Sequence, residues 1–312
     1  MKFYFAGMNV TLNRKELSVK RIKGSISQQD LDAVNQNIIE KILENGEVFY
    51  QNKLADITLD LSDKNLQSEA MDRIEKDGIF IIPSYLDESI VDELCKIIEK
   101  QSESYLLKLG SDEIYEDNLV IVQKGLLIKK NYSELANATK SVFNIRTGKD
   151  NGMVDIFNID KVIKDKSGVK ILTNLKKDGF LNELLNSLPK KLAIRNINSY
   201  VNTGVTETRG FHVDCYAPQL KIFIYLTDVL LFDNGPYTFV KGTHLDTPYR
   251  HINQHLSKDL KATTEAAVVP FEGIYPILAP KGSLVVSDQS GFHRGFPQSL
   301  KGTRRVLTIS CN

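Results

Sequence analysis

The spacing of hydrophobic positions changes along the chain. In SISQQDLDAVNQNIIEKILENG, Leu31, Val34, Ile38, Ile39 and Ile42 fall at helical spacing, with Ser27 placed to cap the helix and Gly46 to stop it. Gln67 to Lys76 repeats that spacing, and GIFIIP reads as a short strand ended by Pro83. DESIVDELCKIIEKQSESYLLKL predicts a long amphipathic helix capped by Asp87, with Val91, Leu94, Cys95 and Ile98 on one face. Residues 131–192 alternate short helices and loops. From about Leu192 the period shortens: AIRNINSYVN, KIFIYLTDV, YTFVKG, GSLVVSD and RRVLTIS are rich in β-branched and aromatic residues and separated by turn formers. Many short strands without long helices between them predict a mainly β fold with flanking helices, closed or doubly layered. Neither a GxGxxG nor a Walker A run argues for a parallel nucleotide-binding sheet instead.

Composition narrows the setting. The 312 residues are 42% hydrophobic and 25% charged, ordinary for a globular chain. Lys and Arg number 40 against 39 Asp and Glu, a formal net charge of +1. That balance excludes nucleic acid as the expected partner, and the short basic runs Lys129-Lys130 and Lys190-Lys191 do not alter it. Cys95, Cys215 and Cys311 are scattered and offer neither a disulfide framework nor a metal knuckle. The N-terminal apolar run is too weak for a signal peptide, and no stretch is long enough to span a bilayer, so no membrane partner is expected and a cytoplasmic setting is. Residues 1–68, opening with a strand around Phe3-Tyr4-Phe5, read as an accessory α/β extension suited to packing or homodimerisation. Residues 69–312 read as the main domain, with helical support and insertions.

The candidate chemistry lies in the β-rich part. Among five histidines, His212 stands in GFHVD two residues before Asp214, and alternation on a strand puts both side chains on one face. His293, in GFHRGFP just after GSLVVSD, is the candidate third ligand. Two imidazoles and one carboxylate make the facial triad of non-haem Fe(II) oxygenases. Arg304 follows His293 by eleven residues and opens the strand RRVLTIS. If that strand lies beside the one carrying His293, Arg304 faces the metal with Val306 and Thr308, and its fork suits a carboxylate. Arg305 then points outward, and Leu307 and Ile309 pack beneath helices. Lys221 with Tyr225, and Asn198 with Tyr200 on a strand expected beside the HxD strand, are candidates to hold a cosubstrate. Arg209, Met153 and Asp155 are candidates to contact substrate. By spacing alone each is equally an ordinary strand or turn residue. Asp288 is a candidate to orient His293. His244 reads as a structural hydrogen-bonding residue, and His251 and His255 as surface residues.

These motifs together resemble the phytanoyl-CoA dioxygenase-like family of Fe(II)/2-oxoglutarate-dependent oxygenases. The resemblance runs through DGIFIIPSYLD (77–87), NGMVDIFN (151–158), TRGFHVD (208–214), LKIFIYLTDVLLFDNGPYTFVKGTH (220–244) and GSLVVSDQSGFHRGFPQSLKGTRRVLTIS. It implies a double-stranded β-helix, a cupin-like jelly roll with flanking helices. It also implies metal ligation by His212, Asp214 and His293, and a 2-oxoglutarate carboxylate on Arg304. The implied reaction takes molecular oxygen and a small-molecule substrate, hydroxylates an unactivated C–H bond, and releases succinate and carbon dioxide. Asp214 stands where halogenating relatives have a small residue, which implies a hydroxylase-type site. Gly295 stands where some members carry a serine that helps hold 2-oxoglutarate, so another hydroxyl or amide must serve here. Two other readings remain open: a cupin-like metal-dependent isomerase or hydrolase that does not use 2-oxoglutarate, and a non-enzymatic jelly-roll binding protein.

Overall fold

The computed structural model describes residues 2–5, 8–12, 19–22, 26–106, 119–123, 126–128, 141–146, 148–258, 260 and 263–312. Lys129-Lys130, residues 107–109 of the predicted long helix and residues 131–140 lie outside them. The described chain opens with a three-stranded antiparallel meander of β1 (Lys2–Phe5), β2 (Met8–Leu12) and β3 (Val19–Ile22). Helix α1 (Gln28–Lys53) begins at the expected cap. The Ser27 hydroxyl accepts from the Asp30 N–H at 3.1 Å, and the Asp30 carboxylate accepts from the Ser27 N–H at 3.1 Å, a reciprocal capping box. Gly46 sits at φ +75°, a conformation only glycine adopts without strain, and breaks the helix as predicted. The chain then resumes a helical course to Lys53 rather than stopping.

Helix α2 (Leu66–Lys76) leads into β4 (Ile79–Ile82), which ends at Pro83, and α3 (Glu88–Leu106) follows. Next come β5 (Leu119–Gln123), β6 (Leu126–Ile128), β7 (Val142–Arg146) and β8 (Met153–Phe157), then α4 (Lys166–Lys176) and α5 (Gly179–Ser187). The remaining elements are β9 (Ile194–Thr203), β10 (Leu220–Tyr225), β11 (Tyr237–Val240), α6 (Pro248–Ser257), β12 (Ile274–Pro276), β13 (Leu284–Asp288), β14 (His293–Gly295) and β15 (Thr303–Cys311). The major sheet is antiparallel in the order β4-β13-β10-β15-β9-β8-β7-β5-β6, and a minor sheet runs β12-β11-β14. Bridges from His212 to both His293 and Glu265 extend the minor sheet by two short segments. Among the described residues no helix is long and apolar enough to cross a membrane.

Alternation along the major-sheet strands feeds two cores. Ile222, Ile224, Leu307 and Ile309 face outward against Leu94, Leu172, Leu181 and Leu184 of the flanking helices. This is where Leu307 and Ile309 were expected. Phe223, Tyr225, Val306 and Val285 face inward against Phe211, Phe239, Ile274 and Phe292 of the minor sheet. With both faces covered, these strands read as continuous apolar runs rather than as alternating ones. Each fully buried Leu or Ile contributes about 1.5–3 kcal/mol relative to exposure.

The expected boundary at residue 68 runs through a single core. Ile38, Ile39, Ile42, Tyr50, Leu54 and Ile57 join the same inner cluster as Phe223 and Phe239. The Leu59 N–H donates to Ile81 O at 2.8 Å, and Thr58 bridges Ile81 in parallel. Ile42 is fully buried in this cluster, so Ile42→Ala is expected to lower stability by about 2–5 kcal/mol. Urea unfolding followed by both tyrosine fluorescence and circular dichroism should show one transition moved as a whole. A barrel transition that stays in place while a separate early one shifts would restore an independent extension.

Candidate metal centre and its cavity

The two histidines of the predicted triad face each other across a backbone pair. His212 N–H donates to His293 O at 3.0 Å, and His293 N–H donates to His212 O at 2.9 Å. Two residues that exchange both bonds sit directly opposite, so their side chains emerge from one face. The ring centroids are 4.6 Å apart. Asp214 lies in the bend after this short segment, not within a regular strand, and its N–H donates to Gln289 O at 3.0 Å. Its carboxylate Oδ1 comes within 4.0 Å of His212 Nε2 and 3.6 Å of His293 Nε2. One ligand atom from each residue lies within 4.8 Å of the other two.

Both imidazoles are committed at their other nitrogen. His212 Nδ1 donates to Gly210 O at 2.8 Å and His293 Nδ1 donates to Gly291 O at 3.0 Å. A carbonyl oxygen only accepts, so each Nδ1 carries the proton and each Nε2 offers a lone pair to the shared space. Burial, followed by the charges of Arg209 and His293, holds His212 well below the usual histidine range, which keeps it neutral. Burial opposes ionisation of Asp214. Lys221, whose Nζ lies 2.7 Å from Asp214 Oδ2, and the two histidines outweigh that and hold the carboxyl well below its usual range. The donor set is therefore two imidazoles and one carboxylate, the chemistry a divalent transition metal takes. The backbone carbonyl of Gly291, not Asp288, orients His293. Asp288 instead accepts from the Ser290 N–H at 2.9 Å.

These donors open into a cavity of about 190 Å³ between the two sheets. Arg304 lines it from the opposite side. Its strand lies between β10 and β9 in the major sheet, not beside the His293 strand as expected, so the guanidinium faces the triad across the barrel. Arg304 is 7% exposed, bonds Gly235 O through Nη1, and leaves Nε without a hydrogen-bond partner. Among the described residues no carboxylate pairs with it. A buried cation in that condition is costly unless an anion completes it. Tyr200, Tyr225 and Tyr237 contribute phenols to the same walls, and burial pushes Tyr225 up to about 12.

Lys221, Tyr200, Arg209 and Met153, candidates from the sequence, all line the cavity. Strand β9, which carries Asn198 and Tyr200, neighbours β8 and β15, however, and not the HxD segment. Three candidates lie elsewhere. Asn198 sits farther along β9, where its Oδ1 accepts from the Asn158 N–H at 2.9 Å, away from the cavity. Thr308 is fully buried in register with Asn198 and Phe223, outside the cavity lining. Asp155 is fully buried and bonded to Asn144 Nδ2 at 2.6 Å and Arg146 Nε at 2.9 Å, so it serves the wall and not the space inside. His244 bonds Glu75 O at 3.2 Å and His251 pairs with exposed Asp246, both apart from the centre.

Several lining residues had not been singled out: Arg146, Asp150, Asn202, Thr208, Gln289 and Tyr237. Asn202 was reachable by continuing the Asn198-Tyr200 alternation, and it stands opposite Arg304. Arg146, at the end of β7, and Asp150, in the turn that follows, carry no sequence signal of this kind and reach the site only through tertiary folding. Removing the Asp155 carboxylate leaves the half-buried Arg146 guanidinium with a weaker set of partners. Asp155→Ala is expected to cost about 3 kcal/mol in chemical denaturation, and a loss below about 1 kcal/mol would mean that Asp155 is not a structural anchor.

No family model matches the sequence, and no curated protein matches it at the sequence level. Solved structures share its architecture. AviO1 from Streptomyces viridochromogenes Tue57 aligns over 80% of this chain and 96% of its own, at 15% identity and a TM-score of 0.50. The non-heme alpha ketoglutarate dependent carbocyclase SnoK from nogalamycin biosynthesis aligns over 80% of this chain and 84% of its own, at 16% identity and a TM-score of 0.52. At these identities the likeness establishes the fold: a mainly antiparallel jelly roll with flanking helices, of the double-stranded β-helix kind.

Proposed function

We propose that the protein is an Fe(II)- and 2-oxoglutarate-dependent oxygenase of the phytanoyl-CoA dioxygenase-like kind, acting on a small molecule. The observation that carries this reading is the pairing of two features in one cavity. One is a His-Asp-His donor set with both Nε2 atoms free to ligate; the other is a buried arginine without a carboxylate. His212, Asp214 and His293 would hold the iron, and Arg304 would take the distal carboxylate of 2-oxoglutarate. Bound together, iron and cosubstrate would supply, with molecular oxygen as oxidant, the decarboxylation to succinate and carbon dioxide that is coupled to hydroxylation of a C–H bond.

The chain's own residues position and shield. Lys221 holds Oδ2 of Asp214, leaving Oδ1 turned toward both Nε2 atoms. Phe223, Val306 and Tyr237 wall the cavity and keep bulk water from the reacting centre. Thr208 lines the cavity beside Gly295, its Oγ1 donating to Gly295 O at 2.8 Å and accepting from Arg294 Nη2 at 2.8 Å. Arg209, tied to Glu265 and Thr264, and Met153 line the same space and would meet substrate there.

Anaerobic titration of metal-free protein with Fe(II) and 2-oxoglutarate should give a visible charge-transfer band. His212→Ala should abolish it. Arg304→Ala should weaken 2-oxoglutarate binding at least about tenfold, the loss of about 1.4 kcal/mol, with iron affinity retained. Tight iron binding without the band would point instead to a metal-dependent isomerase or hydrolase. Failure to bind any divalent metal would leave only the binding-protein reading.

A further inference from the structure

The tripeptide Gly-Phe-His occurs twice, at 210–212 and 291–293, and each copy ends in a candidate ligand. The two copies share one construction. In each, the glycine carbonyl accepts from the histidine Nδ1, at 2.8 Å for Gly210 and 3.0 Å for Gly291. The N–H of the same Gly-Phe peptide plane points the other way, onto a buried side-chain oxygen. Phe211 N–H donates to Asn35 Oδ1 at 3.0 Å, and Phe292 N–H donates to Thr243 Oγ1 at 2.8 Å. Phe211 and Phe292 are fully buried, Asn35 is 6% exposed and Thr243 1%. Both glycines are required by close approach. A Cβ on Gly210 would lie 2.4 Å from Asn35 Nδ2, and one on Gly291 would lie 2.5 Å from Phe239 Cζ.

We propose that Asn35 and Thr243 are positioning residues of the metal centre, each clamping the peptide plane that orients one ligand imidazole. This inference rests on the metal-binding reading given above. An amide that donates at its N–H becomes a better acceptor at its carbonyl, so the clamp strengthens the Nδ1 hydrogen bond as well as fixing its direction. That bond in turn sets the tautomer and basicity of the ligating nitrogen. Asn35 ties in the second copy too. Its Oδ1 also accepts from Arg294 Nη1 at 3.3 Å, beside His293, while its Nδ2 is anchored on Leu31 O at 2.9 Å. Thr243 is held by donating to Val240 O at 2.6 Å. Helix α1, which the family resemblance does not cover, thus supplies part of the scaffold of the site.

The test uses the full chain, with Asn35→Ala and Thr243→Val removing the acceptors and Asn35→Asp and Thr243→Ser keeping them. Co(II) and Fe(II) are titrated into the metal-free proteins, with the Co(II) absorption spectrum as a second reading. The acceptor-less variants are expected to bind metal about 10–100-fold more weakly and with an altered spectrum, and the conservative pair within about threefold of the parent. Equal affinities and unchanged spectra in all four, whatever their melting temperatures, would overturn the proposal. A second arm needs no metal: the His212 and His293 Nδ1–H proton resonances of the metal-free protein. Each should be slowly exchanging in the parent, with the His212 signal lost in Asn35→Ala and the His293 signal lost in Thr243→Val. If the parent bound no metal, the oxygenase reading would fall. The resonances would still decide the clamp, and their persistence in both variants would refute it.

Discussion

Everything at the centre depends on one backbone pair, the reciprocal hydrogen bonds between His212 and His293. Residues 81 positions apart in sequence are brought side by side by sheet pairing and not by any property of their side chains. The side chains then converge because opposed residues of an antiparallel pair share a face. The minor sheet is short, and its regular strands hold only three or four residues each. Its geometry therefore relies on what lies behind it. Phe211, Phe239 and Phe292 fill that space together with Ile39 and Ile42 from α1. A packed, rotamer-restricted core transmits small displacements and does not absorb them.

The opposing major sheet solves a different problem. Its central strands must present polar groups inward while staying anchored, and burial on both faces provides the anchoring. On β15, Arg304 and Val306 look into the cavity while Leu307 and Ile309 are held among helices. A charged guanidinium can be kept in a buried position there because its neighbours in the strand are fixed. Lys221 on β10 follows the same rule, with Ile222 and Ile224 as its anchors.

What was legible in the sequence follows from range. Helix caps, the break at Gly46 and the strand-rich second half rest on local chemistry, and Ser27, Gly46 and Pro83 each do what local rules require. The triad and Arg304 were legible because residue type and order along the chain narrow the chemistry. Which sheet each strand joins was not. The strand of Arg304 was expected beside His293 and lies across the barrel from it. Asn198 and Asp155 share a face with genuine lining residues, yet each sits where a neighbour consumes it, Asn158 in one case and Asn144 with Arg146 in the other. Alternation assigns a face; it does not say how far along the strand the cavity extends. Residues 1–68 were read as an accessory extension, and the amphipathic stripe of α1 within them packs into the inner barrel core.

The place of β4 in the major sheet has a consequence for how the chain is made. Among the described residues the regular strand that pairs with β4 is β13, so this pairing of Ile79–Ile82 must await residues 284–287, while Thr58 and Leu59 meet Ile81 on the other edge. At ordinary translation rates that interval is on the order of 10–40 s. Throughout it, an apolar tetrapeptide with high β-propensity stands on the ribosome without its edge partner, a state prone to misassociation. Completion of the major sheet at this edge thus waits on residues 284–287, however early β4 itself is made.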